Sequence, residues 1–250
     1  MDNISISASI VTYNDGEKAL SAVKSLFENT KKYPLTLYVF DNGSADNTVS
    51  LIKNNTNAIV FENGKNIGFG AAHNLALKKE IGKYHFVINP DVLVSSDVLS
   101  DMADFMEENE SVVMCMPKIL NDDGTEQKLP KERPTFKRLF LGRISKKVRS
   151  EYIWKNRELT EPTEINFCSG CFFGIRTDVF KKIGGFDERF FMYLEDADLT
   201  LEAKKYGKVM ILPQISIIHK WERASAKNIK YLFIHTVSCF KFLIKRRNPK

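Results

Sequence analysis

A chain of 250 residues is long enough for one large domain or two small ones. With 43% apolar and 27% charged residues it has the composition of a soluble globular protein, and no apolar run approaches the ~20 residues that span a bilayer. The net charge of +6 is uneven: residues 131–157 hold ten Lys/Arg against two Glu and residues 220–250 nine against one, so the rest of the chain is acidic. Basic segments of this kind are either solvated surface or sites for phosphate: anionic lipid, nucleic acid or a diphosphate.

The first residues lack a basic n-region and read as a strand rather than a signal peptide, so export is not expected. Of the four cysteines, Cys168 and Cys171 form a CxxC with no second pair to complete a zinc site. Buried free thiols are expected, which suits a reducing cytosol.

In chain order, residues 5–12 predict a strand ending in the turn Tyr13-Asn14-Asp15-Gly16, and 17–28 carry apolar residues at helical spacing. A strand at 35–40 closes on Asp41-Asn42-Gly43, after which Ser44 is expected to cap a helix to 54. A strand at 58–61, a glycine-rich loop at 63–70 and a helix at 71–80 follow. The strand 85–89 ends in Asn89-Pro90-Asp91, Ser96 is expected to cap a helix to 109, and 112–119 is a strand. This alternation implies an α/β fold around a mostly parallel sheet, whose ligands bind outside the carboxyl ends of the strands. The polar clusters fall at those ends.

Residues 125–162 lose the periodicity and read as a basic surface excursion with short helices. Order returns with an apolar run to 175, helices at 178–183 and 195–206, strands at 209–212 and 216–219, and an amphipathic helix at 227–246. On that last helix Ile229, Leu232, Phe233, Val237, Phe240 and Ile244 share one face, with Lys227, Lys230, Lys241, Lys245, Arg246 and Arg247 near the ends.

Asp91, projecting from a strand end, suits Mg²⁺ or Mn²⁺ and through it a diphosphate, but equally a turn. Asp41 suits a ribose or base, but equally an Asx turn. Gly68-Phe69-Gly70 with Asp91 ~20 residues on invites dinucleotide binding, although His73 stands where the third glycine belongs. An NAD-dependent enzyme is therefore one alternative, and a non-catalytic basic membrane-binding module another. Glu195-Asp196-Ala197-Asp198 opens a helix, where acids favour the helix dipole; beside an aromatic run in a dry cleft, one can also serve as a general base. His219 ends a strand, as a structural histidine or a metal ligand.

Taken together, Ile10-Val11-Thr12-Tyr13-Asn14, Asp41-Asn42-Gly43-Ser44, Asn66-Ile67-Gly68-Phe69-Gly70 with Asn74, Asn89-Pro90-Asp91, Ser169-Gly170, Gly184-Gly185-Phe186-Asp187, Glu195-Asp196 and His219 resemble the family-2 inverting glycosyltransferases of the GT-A fold, especially a rhamnosyltransferase-like branch. The resemblance runs over residues 6–225. It implies a catalytic domain over 1–226, with a nucleotide-sugar half at 1–120 and an acceptor half at 121–226, followed by the basic helix at 227–250. By the family pattern Thr12, Tyr13, Asn14 and Asp41 border the base and ribose, and Asn66, Gly68 and Asn74 shape the nucleotide-sugar pocket. Asn89 and Asp91 stand for the two acids of a DxD motif, Asp91 at the metal position together with His219. Asp196 matches the catalytic base, with Glu195 beside it, and Arg223 and Lys227 are diphosphate contacts. The resemblance further implies a divalent cofactor (Mg or Mn), a nucleotide diphosphate sugar donor (dTDP-L-rhamnose first, UDP-sugars next) and a glycan or polyprenyl-diphosphate-linked acceptor. It places the enzyme in bacterial cell-surface polysaccharide synthesis, with no nucleic-acid partner. The missing signal peptide and the basic amphipathic last helix add the expectation of a cytoplasmic protein peripheral on the anionic inner face of the plasma membrane, the alternative being that the apolar face of that helix closes the domain core.

Overall fold

The computed structural model describes residues 4–129, 131–220 and 229–247. The strands β1 (Ile6–Thr12), β2 (Leu35–Asp41), β3 (Ile59–Glu62) and β4 (Tyr84–Ile88) pair in parallel. The helices α1 (Gly16–Asn29), α2 (Thr48–Asn55) and α3 (Phe69–Asn74) connect them, with a short 3-10 turn over Leu75–Lys78. The apolar runs make this half because β1 and β4 are buried along their whole length, as a parallel sheet covered on both faces requires. Beyond it come β5 (Val92–Leu93), α4 (Val98–Glu108), β6 (Val112–Leu120), α5 (Phe136–Phe140), α6 (Lys146–Tyr152), β7 (Thr163–Glu164), β8 (Phe172–Arg176), α7 (Thr177–Ile183), α8 (Glu195–Ala203), β9 (Lys208–His219) and α9 (Ile229–Arg247).

The sheet order is β3-β2-β1-β4-β8-β6-β9-β5, with β7 against β9. The expected α/β fold is present, but β8 enters antiparallel between β4 and β6, so the second half is mixed. That insertion matters for function. It returns the segment before β8 to the carboxyl edge of β4, where Ile88 pairs with Phe172. It also leaves β9 running alongside β6 with His219 at that same edge. The strands expected at 209–212 and 216–219 are one strand whose register jumps between Leu212 and Ser216, after Pro213, which offers no N–H to the ladder.

Two expected caps move by a few residues. Ser44 does not cap α2; its N–H and hydroxyl donate to Asp41, and the helix starts at Thr48 once that turn has closed. At α4 the cap is Asp97, which accepts from the Ser100 N–H, rather than Ser96. Residues 125–162 form the expected excursion carrying α5 and α6, although Lys131 is buried against Glu126.

The terminal helix α9 packs by a face other than its apolar stripe. Ser238, Cys239 and Phe242 point inward, while Lys245 pairs with Asp187 at 2.8 Å and Asp198 at 2.7 Å, and Arg246 with Glu202 at 2.7 Å. Two of the cations expected to face a membrane are thus committed to the protein. The apolar stripe is left outside instead: Ile229 is 85%, Phe233 70% and Ile244 71% exposed. All four cysteines are free and buried, as expected.

Candidate active site

A cavity of about 700 Å³ opens at the carboxyl edge of the sheet. Its floor carries Asp15, Asn89, Asp91, His219, Ser169, Gly170, Glu195 and Asp196. A second cavity of about 450 Å³ is lined by Thr12, Tyr13, Asn42, Asn66 and Phe191, and shares Asp15, Phe69 and Met192 with the first.

Asp91 and His219 meet because β5 folds back antiparallel on β9, pairing Val92 with His219 and Lys220 N–H with the Asp91 carbonyl at 3.0 Å. Gln127 sits behind the imidazole. Its carbonyl oxygen takes Nδ1 at 3.2 Å while its amide donates to the His219 carbonyl at 2.7 Å. With the proton on Nδ1, Nε2 turns its lone pair to the cavity, 3.2 Å from Asp91 Oδ1 and 3.5 Å from the Asn89 amide. Asp91 Oδ1 is buried without a hydrogen-bond partner, since an unprotonated Nε2 has no hydrogen to give it. Two lone pairs facing each other at that distance fit a divalent cation. Among the described residues no group of three or more His, Cys, Asp or Glu encloses such an ion. The pair would leave the remaining positions to phosphate oxygens and water, as Mg²⁺ prefers.

Asp196 is presented by a tight turn in which Tyr193 and Leu194 both adopt left-handed backbone, at φ 72° and 66°. Such conformations cost about 1–2 kcal/mol each in non-glycine residues and persist where the surroundings enforce them. Gly170 N–H donates to Asp196 Oδ2 at 2.9 Å and Ala197 N–H to Oδ1 at 2.8 Å. Burial raises the Asp196 carboxyl above the ordinary aspartate range, and these two donors hold it back. Glu195 is raised well above its usual range by burial and then by the charge of Asp196, and its Oε2 has no partner. Of the two acids Glu195 is the harder to ionise. Asp198, expected in the same cleft, is not there. Two residues along a helix is about 200° of rotation, which turns it away toward Lys245 and Arg246.

The profile of Glycosyl transferase family 2 matches residues 7–184. The chain belongs to glycosyltransferase family 2. It is 25% identical over 257 residues to N-acetylglucosaminyl-diphospho-decaprenol L-rhamnosyltransferase of Mycobacterium tuberculosis, covering 95% of this chain and 83% of that one. It is 26% identical over 195 residues to rhamnosyltransferase WbbL of Escherichia coli, covering 72% and 71%. The structure resembles mannosyltransferase PcManGT of Pyrobaculum calidifontis in complex with GDP-Man and Mn²⁺, with TM-score 0.69, 15% identity, and coverage of 99% and 66%. It also resembles S. aureus TarS in complex with UDP-GlcNAc, with TM-score 0.63, 20% identity, and coverage of 96% and 67%. The chain thus spans about two thirds of each of these two structures, which show a GT-A fold.

Within this glycosyltransferase the sequence-derived residues divide. Asn89, Asp91, Glu195, Asp196 and His219 share the larger cavity, and Thr12, Tyr13 and Asn66 line the smaller one. Asn14, Asp41, Gly68 and Asn74 line neither. Asp41 is buried, its oxygens accepting from Thr12, Gly43 and Ser44. Asn14 accepts from Ala45 N–H and pins that turn. Asn74 exchanges hydrogen bonds with the Phe186 backbone at 2.8 and 2.9 Å and holds the Gly184-Gly185 turn. Gly68, at φ 95°, lets the Phe191 carbonyl approach; a Cβ there would lie 2.6 Å from that oxygen. Its glycine serves packing between loops, so the NAD-dependent alternative loses its main support, and the non-catalytic alternative falls with the family.

Arg223 and Lys227 lie outside the described residues. Sequence reasoning did not single out Asp15, which lines both cavities and whose carboxyl is raised to about 6 by burial, with the charge of Asp91 adding to the rise. Nor did it single out Arg138, Arg149 and Tyr152, which the excursion brings to the larger cavity. Only the basic composition of 131–157 hinted at them.

Proposed function

We propose that this glycosyltransferase carries out a single displacement with inversion, moving a sugar from a nucleoside-diphosphate donor to a hydroxyl of a polyprenyl-diphosphate-linked glycan. L-rhamnose carried on dTDP is the favoured donor and a UDP-sugar the next, in keeping with the rhamnosyltransferase relatives. The observation that carries this reading is the single cavity shared by Asp196 and the Asp91–His219 pair.

In this reading residues 1–120 hold the donor and 121–226 the acceptor. Thr12, Tyr13 and Asn66 bound the nucleotide, while Asn14, Asp41, Gly68 and Asn74 shape its walls from behind. Asp91 and His219, with Asn89 beside them, would hold Mg²⁺ or Mn²⁺, which when bound neutralises charge on the leaving diphosphate. Asp196, ionised and fixed by two backbone N–H groups, takes the proton of the acceptor hydroxyl. Glu195, held neutral behind it, keeps a second negative charge off the floor. Phe69, Phe167 and Leu194 exclude water from the same space.

The exposed stripe of α9 meets the excursion at Phe140, which lies 5.8 Å from Phe240 and 4.8 Å from exposed Phe136; Leu141 and Ile144 of the same segment are exposed as well. With exposed Lys137, Lys146 and Lys147 around it, this surface fits an anionic leaflet, peripherally. No helix among the described residues is long and apolar enough to cross a membrane.

A thermal-melt panel tests the core of the proposal. dTDP or UDP with Mn²⁺ should stabilise the protein, by about 2.7 kcal/mol at 100 times Kd, and NADH should not. A donor screen with a lipid-linked acceptor then identifies the sugar. Absence of protection by every nucleoside diphosphate, with or without metal, refutes the reading. Co-sedimentation with anionic but not neutral vesicles tests the membrane surface.

A further inference from the structure

The walls of the larger cavity differ in charge. Its four acidic side chains, Asp15, Asp91, Glu195 and Asp196, belong to the sheet edge and the start of α8, whereas its two arginines, Arg138 and Arg149, come from α5 and α6 of the excursion. A donor diphosphate held through a cation at Asp91 and His219 has its charge balanced on the acidic side. Neither arginine has a partner among those acids, and Arg138 meets only Glu132, outside the cavity lining.

The Arg149 side chain is exposed and has no hydrogen bond or ion pair with the described residues. Arg138 is half-buried; one nitrogen donates to the Arg133 carbonyl at 2.9 Å, and its approach to Glu132 is loose, at 3.5 Å. Glu132 has other donors in Trp154 Nε1 at 3.0 Å and the Asn166 amide at 3.4 Å, so it does not need Arg138. Tyr152 also lines the cavity; burial raises its phenol, with the charge of Asp196 adding to the rise and that of Arg138 opposing it, so it stays protonated as a donor. Leu129, Leu139 and Ile153 line the cavity, and the segment that carries Arg138 and Leu139 also carries exposed Phe136, Leu141 and Ile144.

We propose that Arg138 and Arg149, with the Tyr152 hydroxyl, form a second, metal-independent diphosphate site that grips the acceptor, whose lipid leaves along Phe136, Leu141 and Ile144. This rests on the glycosyltransferase reading of the cavity. The ligand it predicts is an anion with an apolar tail, a prenyl diphosphate. Planar guanidinium groups bind phosphate oxygens in pairs, and no divalent ion is needed. Recognition of the diphosphate in the same cavity as Asp196 would bring the acceptor sugar to that carboxylate.

The probe is farnesyl diphosphate, titrated calorimetrically into wild type and Arg138→Gln/Arg149→Gln, with and without saturating UDP or dTDP and Mn²⁺. Wild type should bind it equally well in both conditions and more tightly than inorganic diphosphate, which lacks the tail. The double variant should bind it about 10-fold or more weakly while keeping its Mn²⁺-dependent nucleotide affinity, which also reports that it is folded. Unchanged farnesyl diphosphate affinity in the double variant overturns the proposal. So does displacement by nucleotide, which would mean one shared diphosphate site, or inorganic diphosphate binding as tightly. If no nucleotide binds at all, the donor reading fails separately, and the titration without nucleotide still decides the arginine site.

Discussion

Replacing Asp196 by asparagine preserves size and removes basicity, yet it is not structurally silent. Both carboxylate oxygens accept a backbone N–H, from Gly170 and from Ala197. An amide offers one oxygen, so one of those donors loses its acceptor, at a cost of about 1–3 kcal/mol. Removing a buried charge opposes that cost, because burial is the main cause of the raised Asp196 carboxyl and its charge in turn raises Glu195. The melting transition should therefore move little, while turnover falls by at least ~100-fold, about 2.7 kcal/mol of transition-state stabilisation. Glu195→Gln is the matched control: it mimics the neutral acid and should cost less than ~10-fold. The assay is steady-state release of nucleoside diphosphate at varied donor and acceptor, with donor affinity and a urea melt measured on each variant. Turnover of Asp196→Asn within a few-fold of wild type, with fold and donor binding intact, would refute the assignment of the base. A larger loss in Glu195→Gln than in Asp196→Asn would reverse the two roles.

Asp91→Ala and His219→Ala should each abolish the Mn²⁺ enhancement of nucleoside-diphosphate binding, and Gln127→Leu, which frees the imidazole, should weaken it about 10-fold; unchanged enhancement in both alanine variants rejects a shared ion. Asp198→Asn leaves Lys245 and Arg246 without their buried partner and should cost about 3 kcal/mol in a urea melt while exposing α9 to trypsin; a cost under 1 kcal/mol would mean α9 is held by packing alone. His85, buried between the hydroxyls of Ser7 and Ser9, has its pKa lowered by burial from 6.5 to about 3. The unfolded chain binds a proton that the fold refuses between those values, so His85 withdraws about 1.4 kcal/mol of stability per unit as pH falls through that window. Denaturation of wild type and His85→Gln from pH 7 to 4 should show that difference in slope, and parallel curves would contradict it.

Much of this molecule is legible one residue at a time. The alternating strands and helices of residues 5–119, the polar clusters at strand ends, the ionic excursion and the amphipathic last helix all follow from local periodicity, because burial repeats every two residues in a strand and about every 3.6 in a helix. Asp91, Asp196 and His219 were likewise visible, since each stands at the end of an element where a side chain can face a ligand. Other features have no local signal. The antiparallel entry of β8 decides that Gly170 meets Asp196, and the return of β5 onto β9 decides that Asp91 meets His219; both depend on pairings between residues far apart in the chain. The tertiary structure also decided between alternatives the sequence left equal. Asp41 is bound by its own turn and Asn74 by the distant Phe186 backbone, Asp198 faces α9, and the face of α9 with the more regular apolar pattern is the one left outside. Periodicity can say that a helix has two faces, but which one is covered depends on what the rest of the chain brings beside it, and here buried carboxylates on α8 drew the charged face inward.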